Sequence, residues 1–154
     1  MKVCLNFFFI AIFTFSYGQH GTQIDSLQSV VKNYHNGFNH QDIGLVKSSL
    51  GEQLNMFNGN SPDKAQDWEA HMFLQNDEID EWIKWMFENA GPFHNAITFK
   101  KQHIRSNSAI VVTQETGYNK FRSWKKEEVV YQLGKTTHGW QILSFFIKNG
   151  KNPD

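Results

Sequence analysis

Apolar and polar positions divide this chain into three parts with different periods. A nearly continuous apolar run spans Phe7 to Phe15. From about Thr22 to Ala90, apolar residues recur every three or four positions, which is typical of amphipathic helices. After Pro92 the period shortens to two, which is typical of β-strands. The pattern therefore predicts mainly helices first and a sheet afterwards.

Caps and breakers give these helices their expected limits. Ser or Asp before an apolar-periodic run favours a helix start, while Gly favours a helix end. The first helix is expected to end at Gly37, because glycine is common just after a helix. The expected helices run from Thr22 to Asn36, from Asp42 to Gly51, from Pro62 onward, and from Asp77 to Gly91.

The second part of the chain predicts a meander of long strands. One short strand, Gln53–Phe57, is expected among the helices. The long strands are expected over Phe93–Ile104, Ser108–Thr116, Glu127–Gly134 and Trp140–Lys148. Helices followed by a run of strands indicate an α+β domain with a curved antiparallel β-sheet, covered by the N-terminal helices.

The N-terminus has the three-part pattern of an export signal. Lys2 precedes the apolar run, and the small residues Ser16 and Gly18 follow it. The run is about half of the ~20 residues that a membrane-spanning helix needs. We therefore expect cleavage after Gly18, a single domain over residues 19–154, and a periplasmic or secreted protein that is not held in a membrane.

Composition removes several classes of function. The one cysteine, Cys4, lies within the expected signal, so the mature domain has neither thiol chemistry nor disulfides. The 15 basic and 15 acidic residues of the full chain balance, which argues against electrostatic capture of nucleic acid. The seven histidines are scattered without the spacing of metal ligands, so neither a metal nor another cofactor is expected.

Two strand segments carry a resemblance to a known superfamily. Gly139–Phe146 (GWQILSFF) is similar to the final strand of nuclear transport factor 2-like, or SnoaL-like, proteins, and Ala109–Glu115 (AIVVTQE) resembles the strand before it. The resemblance covers about Ile24 to Ile147. It implies a cone-shaped half-barrel with an apolar pocket, and often a homodimer through the outer face of the sheet. Apolar residues on both faces of the last strand, Phe145 and Phe146, agree with such a homodimer.

Candidate chemistry within such a cone rests on His71 and Glu115. A histidine and a carboxylate that face each other across an apolar cavity can act as an acid–base pair. The alternative is a half-exposed helical His71 and a solvated Glu115 at a strand end. The period does not decide which face of that strand lines the pocket. The candidate ligand contacts are Trp68, Met72, Trp124 and Tyr131.

These features support two functions of different kinds. The first is a binding protein that holds a small apolar or amphipathic molecule in the cone. The second is a lyase, isomerase or cyclase in which His71 and Glu115 exchange protons with the substrate. An interaction domain that acts mainly through its dimer is a third interpretation. The steroid isomerases of the superfamily place an acid on an interior strand position, and no Asp occupies one here.

Overall fold

Three helices and six strands make up residues 24–148, without residues 63, 65 and 67, which is the part of the chain that the computed structural model describes. The expected export signal, residues 1–18, lies outside the described residues. The helices are α1 (24–40), α2 (Ile43–Ser49) and α3 (Asp77–Ala90). The strands are β1 (Leu50–Gly59), β2 (Glu69–Gln75), β3 (His94–Arg105), β4 (Ser108–Tyr118), β5 (Ser123–Thr136) and β6 (Gly139–Lys148).

The strands form one open sheet in the order β2-β1-β6-β5-β4-β3. Its inner face packs with α1 and α3 around a core that includes Leu27, Ile83, Val111, Leu133 and Ile142, all fully buried. The α+β prediction is therefore confirmed. The sheet is mixed rather than antiparallel, because β1 runs parallel to β6 while the other neighbouring pairs are antiparallel. The long chain between β1 and β6 makes a parallel pairing possible.

Two predicted helix ends are capped as expected. The Asp42 side chain accepts a hydrogen bond of 2.9 Å from the Leu45 N–H, so it caps α2. Helix α3 begins at Asp77 and is followed by Gly91, whose φ of +72° is a conformation that favours glycine.

Gly37 does not end the first helix, so that prediction is wrong. Helix α1 continues to residue 40, and Gly37 is buried within it. A Cβ atom at this position would meet the side chain of Val46 and would lie 2.8 Å from the Val46 backbone nitrogen. The glycine thus permits close packing of α1 against α2, which outweighs its low helix propensity.

The helix predicted from Pro62 is also wrong in its second half, where β2 lies. Along Glu69–Gln75 the half-buried Met72 and Leu74 alternate with exposed neighbours, which is a period of two. The strand pairs antiparallel with β1, and this tertiary pairing overrides the local helix-start signal. Strand β5 also begins earlier than predicted, at Ser123, so Trp124 lies in a strand rather than in a loop.

Membrane-spanning helices were searched for in the described part of the chain. No helix there is both long enough and apolar enough to cross a bilayer.

Candidate functional site

The buried face of strand β4 becomes polar toward the end of the strand. Ala109, Val111, Thr113 and Glu115 are all buried, while Ile110 on the opposite face is 43 % exposed. Side chains two positions apart share a face of a strand, so the series with Glu115 faces the helices. The structure thus decides the question that the sequence period left open.

Glu115 is the centre of a buried polar network, which we define as His35, Thr113, Glu115, Lys126 and Tyr131. The glutamate is 1 % exposed. Its Oε1 accepts hydrogen bonds from the Tyr131 hydroxyl at 2.5 Å and the Thr113 hydroxyl at 2.9 Å. His35 Nε2 lies 3.3 Å from the same oxygen, and Lys126 Nζ lies 3.4 Å from Oε2. Hydrogen bonds and a nearby cation offset the free-energy cost of burying the carboxylate.

These partners keep Glu115 ionised. Burial by itself raises the pKa of this carboxyl, but the hydrogen bond and attraction of His35, the Lys126 ammonium and the Tyr131 hydroxyl together lower it from 4.5 to about 2. Burial, followed by the charge of Glu115, raises the pKa of Tyr131 well above 10, so its hydroxyl keeps its proton at neutral pH. Glu115 is therefore a fixed negative charge and a poor general base at neutral pH.

Helix α1 brings His35 to the network. His35 lies four residues after Val31 and eight after Leu27, so the three share the buried face of the helix. The His35 ring lies edge-on to the ring of the neighbouring Tyr34, with a centroid distance of 5.3 Å. The helical period thus contained the signal for His35, which the sequence analysis missed because it followed only the apolar members of that face.

The hydrogen bonds assign different roles to the two nitrogens of His35. Nε2 lies 2.9 Å from the Tyr131 oxygen, and the single hydrogen of that hydroxyl is donated to Glu115. Nε2 must therefore carry a hydrogen and donate it. In the neutral ring Nδ1 is then an acceptor. This Nδ1 is buried and has no hydrogen-bond partner among the described residues.

A β-bulge selects the residue that faces Glu115. Thr113 pairs with Val129, but Glu115 pairs with Lys126, so Glu127 and Glu128 both lie opposite the single residue Gln114. Had the register continued from Thr113 without the bulge, Glu115 would face Glu127, and two carboxylates would oppose each other. Because of the bulge, Glu115 faces the Lys126 cation on the inner face instead of a second carboxylate.

Trp124 lies next along the same face of β5. Its ring contacts Phe93 at a centroid distance of 5.9 Å and also covers Gly117, where a Cβ atom would lie 2.6 Å from the indole. The indole Nε1–H is buried without a hydrogen-bond partner among the described residues. Within the part of the chain that the structure describes, the inner layer therefore holds two buried nitrogens without a hydrogen-bond partner, His35 Nδ1 and the donor Trp124 Nε1.

The predicted site residues separate into two groups in the structure. Glu115 and Tyr131 are bonded to each other within the network, and Trp124 lies on the same face of β5 as Lys126. Met72 is on the inner face further along the sheet, opposite Met56.

Trp68 and His71 lie away from this inner site. The Trp68 ring packs on Phe146, on the outer face of the sheet, with a centroid distance of 5.2 Å. His71 is the extra residue of a bulge in β2 and is exposed. Three strands separate β2 from β4, so His71 and Glu115 do not face one cavity. The two were expected to converge because residues 62–72 were expected to form a helix over the sheet.

A separate cleft of about 730 Å³ lies between α2, the start of α3 and the turn from β5 to β6. Its lining includes the ion pair of Lys47 and Asp80, with a 2.6 Å contact, together with His138. None of the network residues lines this cleft. Lys47 is 48 % exposed, and an exposed pair contributes little energy. We therefore place the candidate site at the buried network.

No group of three or more metal-ligand side chains occurs within the described ranges.

Comparisons with known proteins identify relatives by structure alone. Neither a protein-family model nor a curated protein sequence matches the chain. A nuclear transport factor 2-like protein of unknown function from Shewanella baltica is similar with a TM-score of 0.60 and 11 % identity, over 85 % of this chain and 96 % of that one. A ketosteroid isomerase-like protein from Erwinia carotovora atroseptica has a TM-score of 0.57 and 19 % identity, over 80 % and 92 % of the two chains. A domain of unknown function with a cystatin-like fold from Nostoc punctiforme has a TM-score of 0.65 and 10 % identity, over 85 % and 79 %.

Proposed function

We propose that this chain, which has the nuclear transport factor 2-like fold, binds a small and largely apolar molecule inside the cone, with His35 Nδ1 as its main polar contact. The observation that carries the proposal is the buried Nδ1, which has no hydrogen-bond partner among residues 24–148 as described, in a ring whose other nitrogen the network holds in place. Buried polar atoms are rarely left unpaired, because an unmade hydrogen bond costs about 1–3 kcal/mol. A ligand that donates an O–H or N–H to Nδ1 would remove that cost.

The surroundings of His35 suit an apolar ligand body. Tyr34 contacts Phe38 and Phe145, with centroid distances of 5.2 and 6.1 Å, and Phe38 contacts Phe93 at 5.3 Å. Binding sites for small molecules combine such aromatic walls with a few fixed polar groups. Here the fixed group is the imidazole, which Glu115 and Tyr131 orient through Nε2.

An acid–base enzyme is the second candidate, and the same observation supports it. A carboxylate that holds one imidazole nitrogen leaves the other free to take a proton, as in catalytic triads. The pair would be His35 with Glu115, in place of His71 with Glu115. Glu115 would orient the ring and stabilise its protonated form, while Nδ1 would accept the substrate proton.

Export and dimerisation stay predictions. We propose that residues 1–18 direct the protein to the periplasm or beyond, and that two copies associate through the outer face of the sheet. The half-buried Val130 lies on that face beside Phe146, which is consistent with such contact.

Titration with 2-naphthol tests the proposed function, because this probe joins an apolar ring system to one hydroxyl donor. We expect saturable binding by the purified protein, measured by the probe's fluorescence. His35→Gln removes the Nδ1 acceptor while its amide reaches toward the position of Nε2. It should weaken 2-naphthol binding about tenfold, which is the effect of about 1.4 kcal/mol.

His71→Ala is the matched control, because it removes an exposed histidine outside the cone. Its affinity for 2-naphthol should equal that of the unchanged protein. Naphthalene, which lacks the hydroxyl, should bind the protein and His35→Gln equally. The absence of saturable 2-naphthol binding, or an equal loss in both histidine variants, would contradict the proposal.

A further inference from the structure

We infer that the polar head of the ligand is uncharged and carries both a hydrogen-bond donor and an acceptor, as an amide or a hydroxy ketone does. This inference rests on the proposed function, since it concerns the same cone and the same network. Four side chains define the head group: His35 requires a donor, Trp124 requires an acceptor, and Lys126 together with Glu115 sets the charge.

The need for an acceptor follows from two donors on β5. Trp124 and Lys126 are two positions apart and both lie on the inner face, because the bulge lies beyond them in the strand. The Trp124 Nε1–H is a buried donor without a partner among the described residues. Lys126 Nζ lies 3.4 Å from Glu115 Oε2, and an ammonium has three N–H groups. A carbonyl oxygen of the ligand would accept from these donors.

The charge of the head group follows from the balance within the network. Glu115 contributes one negative charge and Lys126 one positive charge, at 1 % and 30 % side-chain exposure respectively. An acceptor Nδ1 requires the neutral ring of His35, which is a different form from the protonated ring whose attraction lowers the pKa of Glu115. The network then has no net charge. A ligand carboxylate would add a buried negative charge without a counter-ion, and a buried unpaired charge is unfavourable.

Two matched probes separate these head groups. 2-Naphthamide has an N–H donor and a carbonyl acceptor, whereas 2-naphthoate has the same ring system with a negative charge and no donor. Calorimetry at pH 8 measures the affinities of both probes. The amide should bind at least tenfold more tightly than the carboxylate.

Glu115→Gln tests the charge balance directly. This variant leaves Lys126 as an uncompensated cation, so 2-naphthoate should gain at least tenfold in affinity and become the preferred probe. A far-ultraviolet circular dichroism spectrum like that of the unchanged protein shows that the variant is folded. Relative to the unchanged protein, Lys126→Met should weaken the binding of 2-naphthoate. Lys125→Met changes an exposed lysine one position away and should leave the affinities for both probes unchanged.

The outcomes distinguish this inference from the function on which it rests. If 2-naphthoate binds the unchanged protein as tightly as the amide, or Glu115→Gln leaves the preference unaltered, the inference is overturned while ligand binding stands. If neither probe nor 2-naphthol binds, the partner of Nδ1 is a buried water, and the proposed function and this inference both fail.

Discussion

Two regions of the sheet bury their side chains by opposite means. On the inner face of β4 and β5, the network gathers an ionised carboxylate, a cation, an imidazole and two hydroxyls. On the outer face of β2, β1 and β6, an aromatic cluster consists of Phe57, Trp68, Phe73 and Phe146. Its rings meet with centroid distances of 5.2 to 5.7 Å.

The two regions differ in how much stability is lost when one side chain is removed. Each ring contact in the aromatic cluster contributes separately, so a truncated ring costs its own buried area and little more. The network shares one acceptor, Glu115 Oε1, among several donors. Removing the shared carboxylate leaves both hydroxyl donors without their acceptor at once, while His35 Nε2 keeps its contact with the Tyr131 oxygen. The predictions below follow from that contrast.

Loss of the shared carboxylate should give the largest effect. Glu115→Ala leaves the Tyr131 and Thr113 hydroxyls buried without their acceptor and removes the counter-ion of Lys126. We expect the free energy of unfolding to fall by about 4 kcal/mol, within the range for breaking a buried pair. Urea denaturation measures it.

Glu127→Ala is the matched control for that change. Glu127 lies in the bulge of the neighbouring strand β5 and is exposed, so its removal should change stability by less than about 0.5 kcal/mol. Equal losses in the two variants would show that the network does not act as a unit.

Acid should weaken the network next. The pKa of Glu115 is lowered from 4.5 to about 2 in the folded protein. Because the folded pKa is the lower one, the stabilisation is present above pH 4.5 and is lost as the pH falls toward 2. The difference between the two pKa values corresponds to about 3 kcal/mol in the free energy of unfolding.

Glu115→Gln separates this titration from that of the other carboxyl groups, because glutamine carries no titratable proton. The unchanged protein should lose about 3 kcal/mol more than Glu115→Gln between pH 5.5 and pH 2, in denaturation curves recorded at each pH. Parallel losses in the two proteins would refute the lowered pKa.

The aromatic cluster should respond least and in proportion to burial. Trp68 is 36 % exposed, so Trp68→Ala should cost about 2 kcal/mol, less than a fully buried aromatic. Phe73 is 59 % exposed, and Phe73→Ser should cost less than about 0.5 kcal/mol. Neither change should alter 2-naphthol binding, and a loss of binding in Trp68→Ala would place the ligand outside the cone.

The succession of elements was largely predictable, because it depends on local periods and caps. The Asp42 cap, the start of α3 at Asp77 and the long strands after Pro92 are present in the structure. The helix predicted from Pro62 failed because pairing with β1 is a contact between distant residues, which local propensity does not include.

The candidate site was predicted only in part. Glu115 and Tyr131 lie on strands whose alternation is visible in the sequence, whereas Trp124 lies in a part of β5 that was not predicted as strand; the structure places all three on the inner face. His71 was expected beside Glu115, but His35 occupies that place instead. A histidine 80 positions before its carboxylate in the chain is brought to it only by the packing of α1 on the sheet.

The sequence by itself determined the α+β class, the long strands after Pro92 and the two alternating faces of β4, because neighbouring residues fix each of these through backbone geometry. The tertiary structure decided which face of β4 is buried, which histidine meets Glu115 and which residue of β5 opposes it. The last choice shows the physical reason: a bulge shifts the register by one residue, which exchanges Glu127 for Lys126 beside a buried carboxylate. Such a shift depends on the partner strand and on the charge already buried there.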